Sequence, residues 1–249
     1  MDFTGKTAII TGGASGIGRA VVEGIIRGGG SAVIADINEE AARAAQKELG
    51  GNTHVYALDI SDPVGIRSAF ARIIEDLKRI DILVNNAGIV STKSFDALSD
   101  VDWEKVIRLN LTGTFTACSA VYGHMKANGG GSIVNIASVA GKVGGGLLGT
   151  AAYASSKAGV IGLSKAIARE GGPFGIRCNA VCPAYTVTAM TQSITDNAEF
   201  TERIVKMIPL GRGAQPAEIA NMILFFASGL ASFVTGEIGD VDGGLTRDG

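Results

Sequence analysis

A tyrosine and a lysine four residues apart are the side chains best suited to acid–base chemistry in this sequence. Tyr153 and Lys157 enclose the segment Ala-Ser-Ser, and residues four apart share one face of a helix. A free tyrosine has a pKa of about 10 and is a poor base at neutral pH. Because a nearby ammonium favours the phenolate, we expect Lys157 to lower the pKa of Tyr153. The same spacing occurs on solvated helix faces, so the pair alone does not define a site.

A glycine-rich turn between the first predicted strand and the first predicted helix is suited to binding a phosphate. It runs from Thr11 to Gly18 and reads Thr-Gly-Gly-Ala-Ser-Gly-Ile-Gly. Glycines let the backbone approach a pyrophosphate, and the helix N-terminus offers free N–H groups and positive charge. The spacing differs from the standard G-x-G-x-x-G fingerprint, and an ordinary strand-to-helix turn is the alternative.

A carboxylate at the end of the second predicted strand indicates which dinucleotide would bind. Asp36 follows Gly16 by twenty residues, where a carboxylate can accept hydrogen bonds from an adenosine ribose. The same charge would repel a 2′-phosphate, which favours NAD over NADP. The alternative is that Asp36 caps the next helix, a role for which Asn38 competes.

Short apolar runs alternate with helical periodicity along the whole chain, and these elements must position the side chains above. Strands are predicted at residues 7–11, 31–36, 55–58, 82–85, 132–137, 176–182 and 237–241. The longest helices are predicted at about 101–127, 151–169 and 216–227. Apolar strands in repeated strand–helix–strand units predict an α/β fold, a doubly wound, Rossmann-like parallel sheet with helices on both faces. No linker divides the chain, so residues 1–249 are predicted to form a single domain.

Composition excludes several other classes of function. The chain is 46% hydrophobic and 18% charged with a net charge of −2, which argues against a nucleic-acid partner. The three cysteines predict buried thiols, and the two distant histidines provide no metal site. The N-terminus does not read as a signal peptide, and polar residues interrupt the apolar stretch 219–236. We therefore expect a cytoplasmic protein that does not enter a membrane.

Several motifs in the right order make the chain resemble the short-chain dehydrogenase/reductase family over nearly its whole length. The stretch Thr11–Gly18 matches that family's T-G-x-x-x-G-x-G turn, and residues 85–88 match its N-N-A-G element. Tyr153 and Lys157 match its Y-x-x-x-K motif. Residues 59–60, Asp-Ile, resemble the pair that meets the adenine.

The resemblance implies an NAD(H)-dependent oxidoreductase that interconverts a secondary alcohol and a ketone. In this mechanism Tyr153 takes the hydroxyl proton in oxidation and donates it in reduction. Ser138, placed at the close of the fifth strand, hydrogen-bonds the substrate oxygen. Lys157 lowers the pKa of the tyrosine and binds the nicotinamide ribose, and Asn110 holds a water that links Lys157 to solvent. Taken alone, Ser138 could be a turn residue and Asn110 a solvated helix residue.

The cofactor contacts implied by the same resemblance extend over most of the chain. They are Gly12, Ser15, Gly16, Ile17, Gly18, Asp36, Ile37, Asp59, Ile60, Asn86, Ala87, Gly88, Tyr153, Lys157, Pro183, Thr186, Thr188 and Met190. One departure is that the family's Pro-Gly after the sixth strand is Pro183-Ala184 here. We still expect this loop to contact the cofactor.

Two segments are expected to border the substrate. The spacing from Ser138 to Tyr153 is about two residues longer than the family's, and the extra length lies in residues 144–149. This loop is expected to form a small-residue, apolar and mobile pocket rim, with a solvent-facing bulge as the alternative. Residues 189–213 are expected to form a substrate lid. Its cations Arg203, Lys206 and Arg212 could meet an anionic substrate, although solvated surface charge is the simpler interpretation.

Two other functions stay open at this point. One is an NADPH-dependent ketoreductase such as a 3-oxoacyl-carrier-protein reductase, which usually carries a basic residue near the glycine turn or after the second strand. Ala14, Ser15, Ile37 and Asn38 are uncharged here. The other is a non-catalytic NAD-binding protein on the same fold. Family resemblance also implies a homotetramer, and the substrate expected is a small alcohol or ketone.

Overall fold

The computed structural model describes residues 1–146, 149–192 and 196–246. Seven parallel strands form one sheet in the order β3-β2-β1-β4-β5-β6-β7. The strands are β1 (Thr7–Thr11), β2 (Ser31–Asp36), β3 (Thr53–Ala57), β4 (Ile82–Asn85), β5 (Gly131–Ile136), β6 (Ile176–Pro183) and β7 (Ile238–Val241). The helices are α1 (Gly16–Arg27), α2 (Glu39–Leu49), α3 (Pro63–Leu77), α4 (Asp100–Ile107), α5 (Gly113–Ala127), α6 (Val139–Val143), α7 (Ala151–Gly171), α8 (Ala198–Met207) and α9 (Pro216–Ala227).

Apolar packing covers both faces of this sheet. On one face, Val21 and Ile25 of α1 pack with Ile223 of α9 in one buried cluster. On the other, Phe70 of α3 and Val121 of α5 belong to a second cluster. The predicted doubly wound α/β fold is confirmed. Because the strand order reverses between β1 and β4, the crevice expected for a ligand lies beyond the carboxyl ends of these strands.

Some predicted strand boundaries were wrong by one or two residues. β3 begins at Thr53 and ends at Ala57 instead of spanning residues 55–58. β5 ends at Ile136, so Ser138 does not close the strand. The Ser138 side chain accepts a hydrogen bond from the Ala140 amide at 3.2 Å and starts α6. The chain leaves the sheet here because the helix capped by Ser138 begins at Val139, three residues after the end of β5.

The helix predicted over residues 101–127 is interrupted by one wider turn. Residues Arg108–Thr112 form a π-helical turn between α4 and α5, in which the Gly113 amide bonds the Arg108 carbonyl. Such turns insert one residue into a helix and are frequent at functional sites. Asn110, a predicted site residue, lies within it and is fully buried.

Across the described ranges, with their gaps at 147–148, 193–195 and 247–249, no helix combines the length and apolar character needed to cross a membrane.

Candidate active site

A cavity of about 1480 Å³ opens at the carboxyl ends of the central strands. Nearly all the predicted site residues line it: Gly12, Ser15, Gly16, Ile17, Asp36, Ile37, Asp59, Ile60, Asn86, Ala87, Gly88, Ser138, Tyr153, Lys157, Pro183, Thr186, Thr188 and Met190. Gly18 and Asn110 do not line the cavity, and their places are described below.

The glycine turn is locked to the chain after β4. The Asn86 side-chain amide donates to the carbonyls of Thr11 and Gly12 at 3.1 and 3.0 Å. The Thr11 hydroxyl oxygen accepts from the amides of Asn86 and Ala87 at 3.0 and 3.1 Å. Gly18 supports this turn from behind, because a Cβ there would lie 2.1 Å from the Gly12 carbonyl oxygen.

This turn fits the pyrophosphate of a dinucleotide. Gly12 has φ = +64°, and a Cβ on it would lie 3.0 Å from the side-chain amide nitrogen of Asn86. Only glycine therefore keeps the backbone of the turn this close to Asn86. Ser15 precedes α1, and its side chain makes no hydrogen bond that caps the helix. Ser15, Gly16 and Ile17 border the cavity, which leaves the positive end of α1 facing it.

Asp36 is held at the cavity wall and is not the cap of α2. Its Oδ2 accepts a hydrogen bond from the Ala14 amide at 3.0 Å, and its Oδ1 accepts from the Asn38 amide at 3.0 Å. The cap is Asn38, whose side chain accepts from the Ala41 amide at 3.0 Å. A carboxylate offers about four lone-pair sites, so Asp36 keeps acceptors for the hydroxyls of a ribose.

The residues expected at the adenine flank the same end of the cavity. Ile37 is 71% exposed, and Ile60 is buried. The Asp59 side chain is turned to its own loop, where Oδ1 accepts from the Ser61 amide at 2.8 Å and from the Ser61 hydroxyl at 2.7 Å. Asp59 therefore shapes the loop that carries Ile60.

Ser138, Tyr153 and Lys157 meet on one wall of the cavity. Tyr153 and Lys157 share a face of α7, and the Lys157 Nζ lies 5.8 Å from the centre of the Tyr153 ring. The Ser138 side chain lies near enough to the Tyr153 phenol to influence its pKa. The buried Lys157 ammonium donates to the Ile136 carbonyl at 2.7 Å, which fixes it at the end of β5.

The pKa values of this pair differ from the sequence-based expectation. Burial raises the pKa of the Tyr153 phenol, and the Ser138 side chain acts in the opposite direction. Burial also lowers the pKa of Lys157 to about 8. The expected lowering of the Tyr153 pKa by Lys157 is therefore wrong for the protein without cofactor. The reason is that desolvation disfavours both charged forms, phenolate and ammonium.

Asn110 joins the chain after β4 to α7. Its Oδ1 accepts from the Ile89 amide and its Nδ2 donates to the Ile89 carbonyl, both at 2.9 Å. Nδ2 also donates to the Ser156 hydroxyl at 3.1 Å, and that hydroxyl donates to the Tyr153 carbonyl at 2.7 Å. Asn110 thus positions the turn of α7 that carries Tyr153, and the water expected at Asn110 stays a prediction.

The loop after α6 lies against Tyr153. Gly145, Gly146 and Gly149 line the cavity, and a Cβ on Gly149 would lie 2.4 Å from the Tyr153 ring. The described part of residues 144–149 therefore borders the cavity, as expected for a pocket rim. Leu147 and Leu148 lie outside the described residues.

The loop after β6 is tied down despite its Pro-Ala sequence. The Val187 amide donates to the Ala214 carbonyl, and the Ala214 amide donates to the Tyr185 carbonyl, both at 2.9 Å. Thr186, Thr188 and Met190 consequently stand at the cavity.

Several cavity residues were not predicted individually from the sequence, although four of them fall within the substrate lid expected at residues 189–213. They include Ile89, Val90, Thr92, Val139, Lys142, Tyr185, Asn197, Phe200, Ile204, Met207, Leu245 and Thr246. The last two follow β7, and the rule that ligands bind beyond the carboxyl ends of strands could have indicated them. For the residues of α8, periodicity indicates a buried face but not what it faces.

Comparisons with known proteins agree with this geometry. A family model described as enoyl-(acyl carrier protein) reductase matches residues 12–246. The 3-oxoacyl-[acyl-carrier-protein] reductase FabG of Aquifex aeolicus is 39% identical, with 98% of this chain and 99% of that protein covered. An uncharacterized short-chain type dehydrogenase/reductase, y4mP, of Sinorhizobium fredii is 40% identical, with 98% and 99% covered.

A solved structure shares the fold closely. It is a protein of Beutenbergia cavernae proposed to be an NAD(P)-dependent gluconate 5-dehydrogenase, with NADP bound at low occupancy. It is 35% identical with a TM-score of 0.91, and 98% of each chain is covered. Matches of this extent, together with the motif residues gathered at one cavity, show that the chain belongs to the short-chain dehydrogenase/reductase family of oxidoreductases.

Proposed function

We propose that the protein is an NAD(H)-dependent dehydrogenase or reductase that interconverts a secondary alcohol and a ketone. The observation that carries the proposal is the convergence of Ser138, Tyr153 and Lys157 on the wall of a cavity whose far end presents Asp36. We further propose that residues 1–249 act as one dinucleotide-binding and catalytic domain.

Each catalytic side chain has a distinct task in this proposal. Ser138 donates a hydrogen bond to the substrate oxygen and stabilises the charge that develops there. The Tyr153 phenolate takes the hydroxyl proton during oxidation, and the phenol donates its proton to the carbonyl oxygen during reduction. Lys157 holds its ammonium beside the phenol, and Asn110 holds the turn of α7 in place. A bound nicotinamide supplies the acceptor or donor of the hydride.

Burial acts on the charge states of both Tyr153 and Lys157, and a bound cofactor would affect the tyrosine. The phenolate of Tyr153 is disfavoured by burial, and the Lys157 ammonium is disfavoured by the same burial. The positive charge of an oxidised nicotinamide favours the phenolate. Tyr153 is therefore expected to be a better base when the oxidised cofactor is bound.

Asp36 supports NAD as the preferred cofactor. Its carboxylate accepts two backbone amide bonds at the cavity wall and leaves its charge facing the site of a 2′-phosphate. An NADPH-dependent 3-oxoacyl-carrier-protein reductase is the second candidate, favoured by the identity with the Aquifex protein. The uncharged Ala14, Ser15 and Ile37 speak against it, because a 2′-phosphate there would meet Asp36 without a cation.

The first experiment follows nicotinamide absorbance with a panel of secondary alcohols and ketones, supplying NAD(H) and NADP(H) in parallel. We expect turnover with NAD(H), and a loss of about a hundredfold to ten-thousandfold in kcat for Tyr153→Phe, the range of general acid–base catalysis. Preference for NADP(H) and a 3-oxoacyl thioester would establish the second candidate. Cofactor binding without turnover, unaffected by Tyr153→Phe, would identify a non-catalytic NAD-binding protein.

The cellular compartment and the oligomeric state of the protein remain predictions. We propose a cytoplasmic enzyme, and the burial of Cys118, Cys178 and Cys182 as free thiols fits a reducing compartment. We also propose a homotetramer on family resemblance. Light scattering of the purified protein tests the assembly directly.

A further inference from the structure

The face of α8 that borders the cavity is apolar. Phe200, Ile204 and Met207 are spaced by four and three residues, lie on one side of the helix and line the cavity. Ile204 is buried and packs in one cluster with Tyr185 of the loop after β6, while Met207 is 47% exposed. The exposed thioether of Met207 beside the buried Ile204 forms a surface on which an apolar ligand can pack.

Two further apolar side chains extend this surface from other segments. Val143 at the end of α6 is 61% exposed, and Leu245 after β7 is partly buried. Both line the same cavity as α8. Apolar side chains of three separate segments therefore surround one opening, and contiguous exposed apolar patches of this kind mark binding sites.

Three cations near this end of the cavity, Lys142, Lys206 and Arg212, are paired with carboxylates. Lys142 lines the cavity, and its Nζ lies 2.7 Å from the Asp240 carboxylate. On the lid, Arg212 makes two hydrogen bonds of 2.7 Å to Glu218, and Lys206 pairs with Glu202 at 2.7 Å. Within the ranges 1–146, 149–192 and 196–246, Arg203, Lys206 and Arg212 do not line the cavity. The charges of Lys142, Lys206 and Arg212 are thus compensated, which leaves these three cations less available to an anionic substrate.

We infer that the substrate is an uncharged ketone or secondary alcohol bearing an apolar group of several carbons, which packs on Phe200, Ile204 and Met207. This inference rests on the proposed function and names its substrate class. At the apolar face of α8, a polyol or sugar acid would bury hydroxyls or a carboxylate against Phe200, Ile204 and Met207, whose apolar side chains make this burial unfavourable. The apolar face of α8 is accordingly the specificity determinant of the site.

The test compares kcat/KM for 2-butanone and 2-octanone with that for 5-ketogluconate and, in the oxidative direction, for 2-octanol with that for threitol. Because each buried methylene adds roughly 0.8 kcal/mol of transfer energy, we expect the value to rise several-fold per carbon and at least about tenfold from 2-butanone to 2-octanone. A kcat/KM for 5-ketogluconate or threitol equal to or above that for its eight-carbon counterpart would overturn the inference.

A pair of neighbouring variants tests the role of α8 itself. Met207→Gln keeps the length of the side chain and adds polarity, and we expect it to reduce the preference for 2-octanone over 2-butanone several-fold. Lys206→Gln is the matched control on the outward face and should leave that preference unchanged. Equal preferences in Met207→Gln and the wild type would show that α8 does not select the substrate.

Binding measurements separate this inference from the proposed function. Calorimetry of the Tyr153→Phe variant, saturated with NAD, reports binding without turnover. Tighter binding of 2-octanol than of threitol, with a negative heat-capacity change, would support the apolar site. If the wild type then turned over no alcohol, that absence of turnover would overturn the proposed function but not the apolar site. Turnover that requires Tyr153 but favours threitol would overturn the inference alone.

Discussion

The two ends of the cavity are built by different interactions. At the cofactor end the wall is backbone, held by hydrogen bonds from Asn86 and Thr11 and by the Asp36 contact to the Ala14 amide. At the α8 end the wall is side chain, held by the packing of Ile204 on Tyr185. A hydrogen-bonded backbone has essentially one shape, whereas apolar side chains of similar volume can replace one another at small cost.

This difference explains how one scaffold can keep its chemistry while its substrate changes. An added methyl group at the glycine turn meets a carbonyl oxygen, but a changed side chain at Met207 meets open cavity. Substitutions at the first end are therefore expected to abolish function, and those at the second to redirect it.

Gly18→Ala should produce the largest loss. The new Cβ would lie 2.1 Å from the Gly12 carbonyl oxygen and 2.6 Å from the side-chain amide nitrogen of Asn86, so the glycine turn would have to move. We expect NAD affinity to fall at least about a hundredfold and the free energy of unfolding to fall by about 1–3 kcal/mol or more. Calorimetric titration with NAD and chemical denaturation measure the two effects.

Gly123→Ala is the matched control for that substitution. Gly123 lies in α5 with open space around the position of a Cβ. Alanine there should raise the free energy of unfolding by about 0.5–1 kcal/mol and leave NAD affinity unchanged. If Gly18→Ala behaved like Gly123→Ala, the cofactor end would be as tolerant as the α8 end, and the contrast between them would be lost.

Asp36→Asn should alter the choice of cofactor without altering the chemistry. Removing the negative charge relieves repulsion of a 2′-phosphate, and such like-charge contacts cost several kcal/mol when they are not screened. Because Asp36 is partly exposed, we expect the ratio of kcat/KM for NAD to that for NADP to fall by about tenfold. An unchanged ratio would remove Asp36 from the cofactor site.

Lys157→Met should make stability less dependent on pH, because the folded-state pKa of Lys157 is lowered from 10.5 to about 8. Between these values the unfolded chain binds a proton that the folded chain does not, so Lys157 makes the folded state more stable as pH rises from 8 to 10.5. The wild type should gain about 1.4 kcal/mol per pH unit relative to Lys157→Met in this window. Denaturation of both proteins without cofactor, at pH 8 and pH 9, measures this difference, and parallel curves would contradict it.

The sequence was sufficient for the parts of the molecule that depend on local pattern. The apolar runs of β1, β2 and β4 predicted those strands to the residue, and the motif order predicted which side chains would gather at one cavity. Asn38 illustrates a choice that the sequence left open, because both it and Asp36 could have capped α2.

Features that depend on distant contacts could not be predicted in this way. The rise in the Tyr153 pKa follows from burial, and no spacing of residues reports how deeply a phenol is buried. The same holds for the side of α8 that faces the cavity, which is decided by Tyr185 and the loop after β6. The position of Ser138 at the start of α6 was missed because the apolar run through Ala137 hides the end of β5.

The π-helical turn at residues 108–112 joins α4 to α5 and therefore also decides which way the faces of α5 point relative to those of α4. A regular helix advances by about 100° per residue, so one inserted residue rotates every later side chain around the helix axis. α4 packs against α7, whereas α5 packs mainly against α3. Deleting one residue from this turn would restore regular winding and swing the apolar stripe of α5 away from α3. The number of residues in the segment from α4 through α5, and not only their chemical character, is therefore under constraint.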